Sequence, residues 1–80
     1  MDSALLKFIY DRCETDSLYL AQQINIPYMK LYCVRHYGYK LNNEELDILY
    51  KYLKEKKGYT DYFLNRKFNK IKRRNNGNIR

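Results

Sequence analysis

Apolar residues recur every three or four positions in five segments of the chain, and short polar segments separate them. This spacing is typical of helices that bury one face in a core. The candidate core residues are, segment by segment, Leu5, Phe8, Ile9 and Cys13; Leu18, Leu20, Ala21 and Ile24; Leu31 and Val34; Leu46, Leu49, Tyr50 and Leu53; and Leu64, Phe68 and Ile71. The pattern predicts an all-α fold, a compact domain of four or five helices over residues 1–74 with a flexible polar tail over residues 75–80.

Residues with strong preferences for helix ends mark the boundaries of these segments. Asn42 and Glu45 have the spacing of a capping box, which predicts that a helix starts there. Pro27 suits the first turn of the third helix, and Gly38 and Gly58 are expected to end the third and fourth helices. Candidate N-caps elsewhere are Asp2 or Ser3 for the first helix, Thr15 or Asp16 for the second, and Thr60 or Asp61 for the fifth.

Residues 16–37 contain two predicted helices joined by a turn of three or four residues. Ala21 is a small residue where the helices would cross, Ile26 lies just past the turn, and Leu31 lies one turn deeper. This arrangement, with the loop and the capped helix that follow it, resembles the helix-turn-helix of the phage-repressor family, the Cro and lambda-repressor-like proteins. The resemblance covers about half of the chain. The chain departs from the family at the turn, where Asn25 replaces the usual glycine, and at residues 16–17, where the family favours Thr-Gln.

The resemblance implies a sequence-specific double-stranded DNA-binding protein, a small transcriptional regulator of phage or mobile-element type. The third helix would enter the major groove, and its solvent-facing positions would contact bases. By family position these base-reading candidates are Tyr28, Met29, Lys30, Tyr32 and Cys33. Lys30 could donate to guanine or phosphate, the tyrosines could bond to phosphates or bases, and Met29 could pack on a thymine methyl group. The resemblance also implies a homodimer that binds two half-sites.

The positive charge of the chain is concentrated near its C-terminus. The net charge is +7, but residues 1–50 carry 5 basic and 7 acidic side chains, whereas residues 51–80 carry 11 basic and 2 acidic ones. A basic segment of this kind is attracted to phosphate. We therefore expect the third helix to set the register on DNA and the C-terminal segment to supply most of the non-specific affinity. The phosphate-contact candidates are Ser17, Arg35, His36, Lys40, Arg66, Lys67, Lys70, Lys72, Arg73 and Arg74.

Several classes of function are not expected. Cys13, Cys33 and His36 are too few and too widely spaced for a zinc site, so no metal and no cofactor is predicted. The two cysteines are expected to be reduced, buried thiols of a cytoplasmic protein. The sequence contains no catalytic motif, and an enzyme is not expected. It also has no signal-peptide pattern and no apolar run near the ~20 residues that a membrane span needs.

Other partners remain open at this point. A small phage or plasmid protein could use Tyr28, Met29 and Tyr32 to bind and modulate a host protein. Tyrosine and arginine side chains could instead stack on unpaired RNA bases, and a basic helix could lie on an anionic membrane surface. Ile48 and Tyr52 do not fit the main apolar stripe of the fourth helix. They are candidates for a dimer contact or for packing against the fifth helix.

Overall fold

The computed structural model describes the backbone of residues 2–79 and the side chains of residues 2–71. In chain order the helices are α1 (Asp2–Arg12), α2 (Ser17–Gln23), α3 (Tyr28–Tyr37), α4 (Asn43–Lys57) and α5 (Asp61–Ile79). No strand occurs in this part of the chain, and the predicted all-α fold is confirmed.

The helix ends follow from local side-chain chemistry. Asp16 accepts a hydrogen bond from the Tyr19 N–H at 2.9 Å and caps α2. Thr60 accepts from the Phe63 N–H at 3.2 Å at the start of α5. Gly38 and Gly58 have φ of 75° and 76°, the left-handed conformation that glycine adopts at low cost. These predicted boundaries are confirmed.

The start of α4 has both hydrogen bonds of a capping box. The Asn42 side chain accepts from the Glu45 N–H at 2.7 Å, and the Glu45 carboxylate accepts from the Asn42 N–H at 2.9 Å. Together they satisfy two backbone donors that the helix leaves unpaired.

Replacing Asn42 with alanine is therefore expected to lower the free energy of unfolding by about 1 kcal/mol, because α4 loses its N-cap. Urea denaturation followed by circular dichroism measures the change. Asn43→Ala is the matched control, since Asn43 is an exposed residue inside the first turn and does not cap it. Equal losses in the two variants would show that the capping box does not stabilise α4.

A single core joins the five helices. Its fully buried side chains come from every helix and include Leu6, Leu20, Leu31, Leu49 and Phe68. The predicted stripe of α5 is confirmed, because Leu64, Phe68 and Ile71 are all buried. Burying these apolar side chains supplies most of the driving force for folding.

Two predictions about buried faces are wrong. Leu18 is 57% exposed, because α2 is covered on the side of Leu20 and its opposite side is open. On α4, Tyr52 is buried and Tyr50 is only half-buried. The Tyr50 ring contacts Phe68 of α5 with its centroid 5.4 Å away. Tyr50 therefore packs against α5 while Tyr52 lies in the core, so Tyr52 is not a surface residue free for a dimer contact.

The first two residues of α1 hold it to the end of α3 and to the segment that follows α3. The Asp2 carboxylate is buried and accepts from the Leu41 N–H at 2.6 Å. Ser3 Oγ donates to the Arg35 carbonyl at 3.0 Å and accepts from Arg35 Nη1 at 3.0 Å. That carbonyl belongs to the last turn of α3, where helix carbonyls lack partners within the helix. Residues expected only to cap α1 thus fix the position of α3.

The backbone of α5 is helical to Ile79, past residue 74, where the sequence predicted the start of the tail. The side chains of residues 72–80 lie outside the described part of the chain. The division into a domain over 1–74 and a flexible tail over 75–80 stays a prediction.

Candidate nucleic-acid interface

Helices α2 and α3 pack against each other across a connection of four residues, 24–27. Leu20 of α2, Ile26 of the connection and Leu31 of α3 are buried together in the core. Ala21 is half-buried and packs against the same cluster, and its small side chain leaves room for a neighbouring helix. Because Leu31 and Val34 point into the core, the opposite side of α3 is directed away from the protein.

That opposite side defines the outward face of α3, which consists of Tyr28, Met29, Tyr32, Cys33 and His36. Met29 is 62% exposed. The Tyr32 ring lies 4.4 Å from the His36 ring and 6.0 Å from the Tyr28 ring, centroid to centroid, so the aromatic side chains form a row along the helix. The face offers hydroxyl groups, an imidazole and apolar surface, and with His36 neutral it carries no formal charge.

Lys30 lies to the side of this face. Its Nζ is 3.3 Å from Glu45 Oε1, the same carboxylate oxygen that accepts the capping hydrogen bond from Asn42. The ion pair is partly shielded, with 30% and 15% of the two side chains exposed. Lys30 therefore joins α3 to the start of α4 and does not lie among the outward-facing base candidates.

Arg35 and Ser17 are also held by contacts inside the protein. Arg35 Nη1 donates to Ser3 Oγ at 3.0 Å, on the side of α3 that packs against α1. The Ser17 hydroxyl is buried and lies 2.6 Å from the Tyr10 hydroxyl. Burial raises the pKa of Tyr10 above its ordinary value, because desolvation disfavours the phenolate. Ser17 thus serves the packing of α1 against α2, and the exposed Asp16 carboxylate stands at the α2 N-terminus.

The described cations of α5 do not lie beside α3. Arg66, Lys67 and Lys70 line a groove together with Ala4 and Leu5 of α1. The contacts between α1 and α3 use another side of α1, the side of Ser3. Helix α1 therefore separates the α5 cations from the outward face of α3. The remaining candidates of the basic segment, Lys72, Arg73 and Arg74, lie outside the described side chains.

Lys40 and three further aromatic or apolar side chains complete the surface around α2 and α3. Lys40 is exposed in the segment that follows α3. Leu18 and Tyr19 on α2 are each 57% exposed, and Tyr39 is exposed next to Lys40. The sequence did not single out Tyr19 and Tyr39. Both are aromatic residues outside the apolar stripes of the helices. In a chain with ten tyrosines this pattern is a weak indication of a functional site.

Neither cysteine is paired with the other, and both thiols are half-buried. Burial raises the pKa of the Cys13 thiol, which disfavours the reactive thiolate. No three histidine, cysteine, aspartate or glutamate side chains among the described residues lie close enough to hold a metal ion. None of the helices in the described part of the chain combines the length and the apolar character needed to cross a membrane.

Comparison of the chain with protein-family models, with curated proteins and with solved structures finds no match.

Proposed function

We propose that this protein is a small transcriptional regulator that binds double-stranded DNA by placing the outward face of α3 in the major groove. The observation that carries the proposal is the geometry of α3. Its inner side is fixed by α1, α2 and the start of α4. On the opposite side Tyr28, Met29 and His36 are exposed, and Tyr32 and Cys33 are half-buried. A major groove admits a helix presented in this way. The resemblance of residues 16–53 to phage repressors supports the same use.

The contacts within this proposal differ from those expected from sequence. Tyr28 and Tyr32 would donate hydroxyl hydrogen bonds to bases or phosphates, and Met29 would pack on a thymine methyl group. Lys40 would contact phosphate from the segment after α3. Lys30 and Arg35 would act by bracing α3, because their charged groups already contact Glu45 and Ser3. The base contacts therefore rest on neutral side chains, so affinity at the groove floor depends little on salt.

Met29→Glu is expected to weaken binding to a preferred duplex at least tenfold, or about 1.4 kcal/mol. The new carboxylate would stand in the middle of the outward face, facing the acceptors and phosphates of DNA. The duplex is obtained by selecting bound sequences from a randomised pool with the wild-type protein, and affinity is measured by fluorescence anisotropy.

Asn69→Glu is the matched control, because it adds the same charge at an exposed position of α5. It should change duplex affinity by less than about threefold, or about 0.6 kcal/mol. If the selection enriches no sequence, or if Met29→Glu binds as tightly as the wild type, α3 is not a DNA-recognition helix.

One observation favours a second candidate, a protein partner that binds the same face. The outward face is aromatic, contains methionine and is continued by exposed apolar side chains on α2. Aromatic residues and methionine are enriched in protein interfaces, and lysine and glutamate are depleted there. In that case the wild-type protein would enrich no duplex, and Met29→Glu would abolish binding to the partner.

A further inference from the structure

A groove of about 400 Å³ lies between α1 and α5, away from the outward face of α3. Its apolar lining comes from Leu5 and Ile71, which are nearly fully buried, and from Ala4, whose small side chain leaves the space open. Tyr62 and Phe63 form its aromatic side. The groove is large enough to hold a flat group of the size of a nucleobase.

Among the described residues, three cationic side chains line the groove and no carboxylate side chain does. Within the described residues Arg66, Lys67 and Lys70 take part in no ion pair, whereas Lys54 of the neighbouring helix is paired with Asp61 at 3.1 Å. Arg66 and Lys70 are exposed and stand one helical turn apart. The edge of the groove is thus a row of positive charge that has no counterion among the described residues.

The aromatic side chains at the groove are held in place and still accessible. Phe63 stacks on Tyr59 with ring centroids 5.3 Å apart and an angle of 19° between the rings. Lys67 Nζ lies 4.3 Å from the centroid of the Phe8 ring and 5.6 Å from that of Phe63, so a cation also fixes this cluster. Tyr62 is 73% exposed, and the guanidinium carbon of Arg66 lies 5.9 Å from the centroid of its ring, so Arg66 contacts this ring while most of its surface stays accessible.

We propose that the α1–α5 groove binds single-stranded nucleic acid. A base would occupy the groove against Tyr62 and Phe63, and the phosphates on either side would contact Arg66 and Lys70. The combination of exposed rings and a row of cations is the one that single-strand-binding proteins use. Paired bases in a duplex do not present their flat sides to side chains, which favours unpaired DNA or RNA as the ligand. The site is separate from the outward face of α3 and does not require it.

The test is fluorescence anisotropy of the full chain with labelled 12-nucleotide single strands of DNA and of RNA, each without secondary structure. Tyr62→Ala should weaken binding about tenfold, because one stacked base is lost. Ala4→Phe should weaken it to a similar extent by filling the groove while leaving every cation in place. Arg66→Gln should reduce the slope of log affinity against log salt by roughly 0.7, the value for one phosphate contact on a single strand.

Two control variants separate this site from others. Tyr19→Ala removes an exposed tyrosine from α2 and should leave single-strand affinity within about twofold of the wild-type value, since Tyr19 is not at the groove. Met29→Glu should also leave single-strand affinity within about twofold of the wild-type value. A failure of duplex binding by α3 is therefore distinguishable from a failure of single-strand binding at the groove. Both Tyr62→Ala and Ala4→Phe change exposed positions, and circular dichroism checks that they fold.

The proposal is overturned if Tyr62→Ala and Ala4→Phe bind single strands as the wild type does. It is also overturned if the wild type binds neither DNA nor RNA single strands above background, or if vesicles containing phosphatidylglycerol bind and the oligonucleotides do not. A difference between the DNA and RNA arms that is abolished by the same two variants would support the site and identify its ligand.

Discussion

Leu31→Ala is expected to lower the free energy of unfolding by about 3 kcal/mol. Leu31 is fully buried, and it comes from the helix that packs against both α1 and α2. Alanine in its place removes three buried carbon atoms and leaves a cavity that the surrounding helices fill only in part. A domain of this size is expected to be stable by ~4–12 kcal/mol in total. Urea denaturation followed by far-ultraviolet circular dichroism measures the loss.

Leu18→Ala is the matched control, because it makes the same chemical change on the adjoining helix. Leu18 is 57% exposed, so its truncation should cost less than about 0.5 kcal/mol. Losses of similar size at the two positions would mean that α2 and α3 do not pack as described. The outward face of α3 would then be wrongly assigned as well, because its position depends on Leu31 pointing inward.

Asp2→Ala is expected to cost about 2 kcal/mol, because it removes the acceptor of a buried hydrogen bond. The Asp2 carboxylate accepts from the Leu41 N–H at 2.6 Å and joins α1 to the segment between α3 and α4. Asp2 also lies in the first turn of α1, where a negative charge interacts favourably with the helix dipole. Asp2→Asn keeps an oxygen acceptor and loses the charge, so it should cost less than Asp2→Ala. Thermal and urea unfolding of the three proteins measure the difference.

Asp11→Ala serves as the comparison for Asp2→Ala, since it deletes a carboxylate from the other end of the same helix. Asp11 is exposed and forms a surface ion pair with Lys7 at 2.9 Å. Exposed pairs within a helix contribute little, so this change should cost less than about 0.5 kcal/mol. A loss at Asp2 no greater than that at Asp11 would contradict the role of Asp2 in holding α1 to the segment between α3 and α4.

The start of α4 at Asn42 and the helix ends at Gly38 and Gly58 were predictable, because each depends on residues close together in sequence. The capping box joins Asn42 and Glu45, which are three positions apart, and the glycine ends at 38 and 58 each depend on the conformation of a single residue. The burial of individual side chains was less predictable, since it depends on which neighbouring helix covers each face of a helix. Tyr52 is buried and Leu18 is exposed because of how α2 and α4 pack, and periodicity within one helix does not contain that information.

The candidate site was predictable to a similar extent. The positions of Tyr28, Met29 and Tyr32 on one face follow from helix geometry once Leu31 is assigned to the core. The placement of Lys30 and Arg35 does not follow from sequence, because their partners are far away along the chain. Glu45 lies fifteen residues from Lys30, and Ser3 lies thirty-two residues from Arg35. Such contacts form only in the folded protein, and they give Lys30 and Arg35 partners within the protein.

The distribution of charge along the sequence likewise did not predict which surface the cations lie on in the structure. The excess of positive charge after residue 50 predicted a basic segment working together with the third helix on one DNA molecule. In the structure, three cations of that segment, Arg66, Lys67 and Lys70, line a groove with α1. Two separate surfaces result, one neutral and aromatic on α3 and one cationic and aromatic between α1 and α5.

The most direct test of DNA recognition by α3 is a nuclear magnetic resonance titration of the ¹⁵N-labelled full chain with the selected duplex. The largest shift changes are predicted at Tyr28, Met29, Tyr32 and Cys33, with smaller changes at Lys40 and little change at Tyr62 and Phe63. Shift changes confined to the α1–α5 groove, or no changes at the α3 residues when the duplex is in excess, would contradict the proposed function.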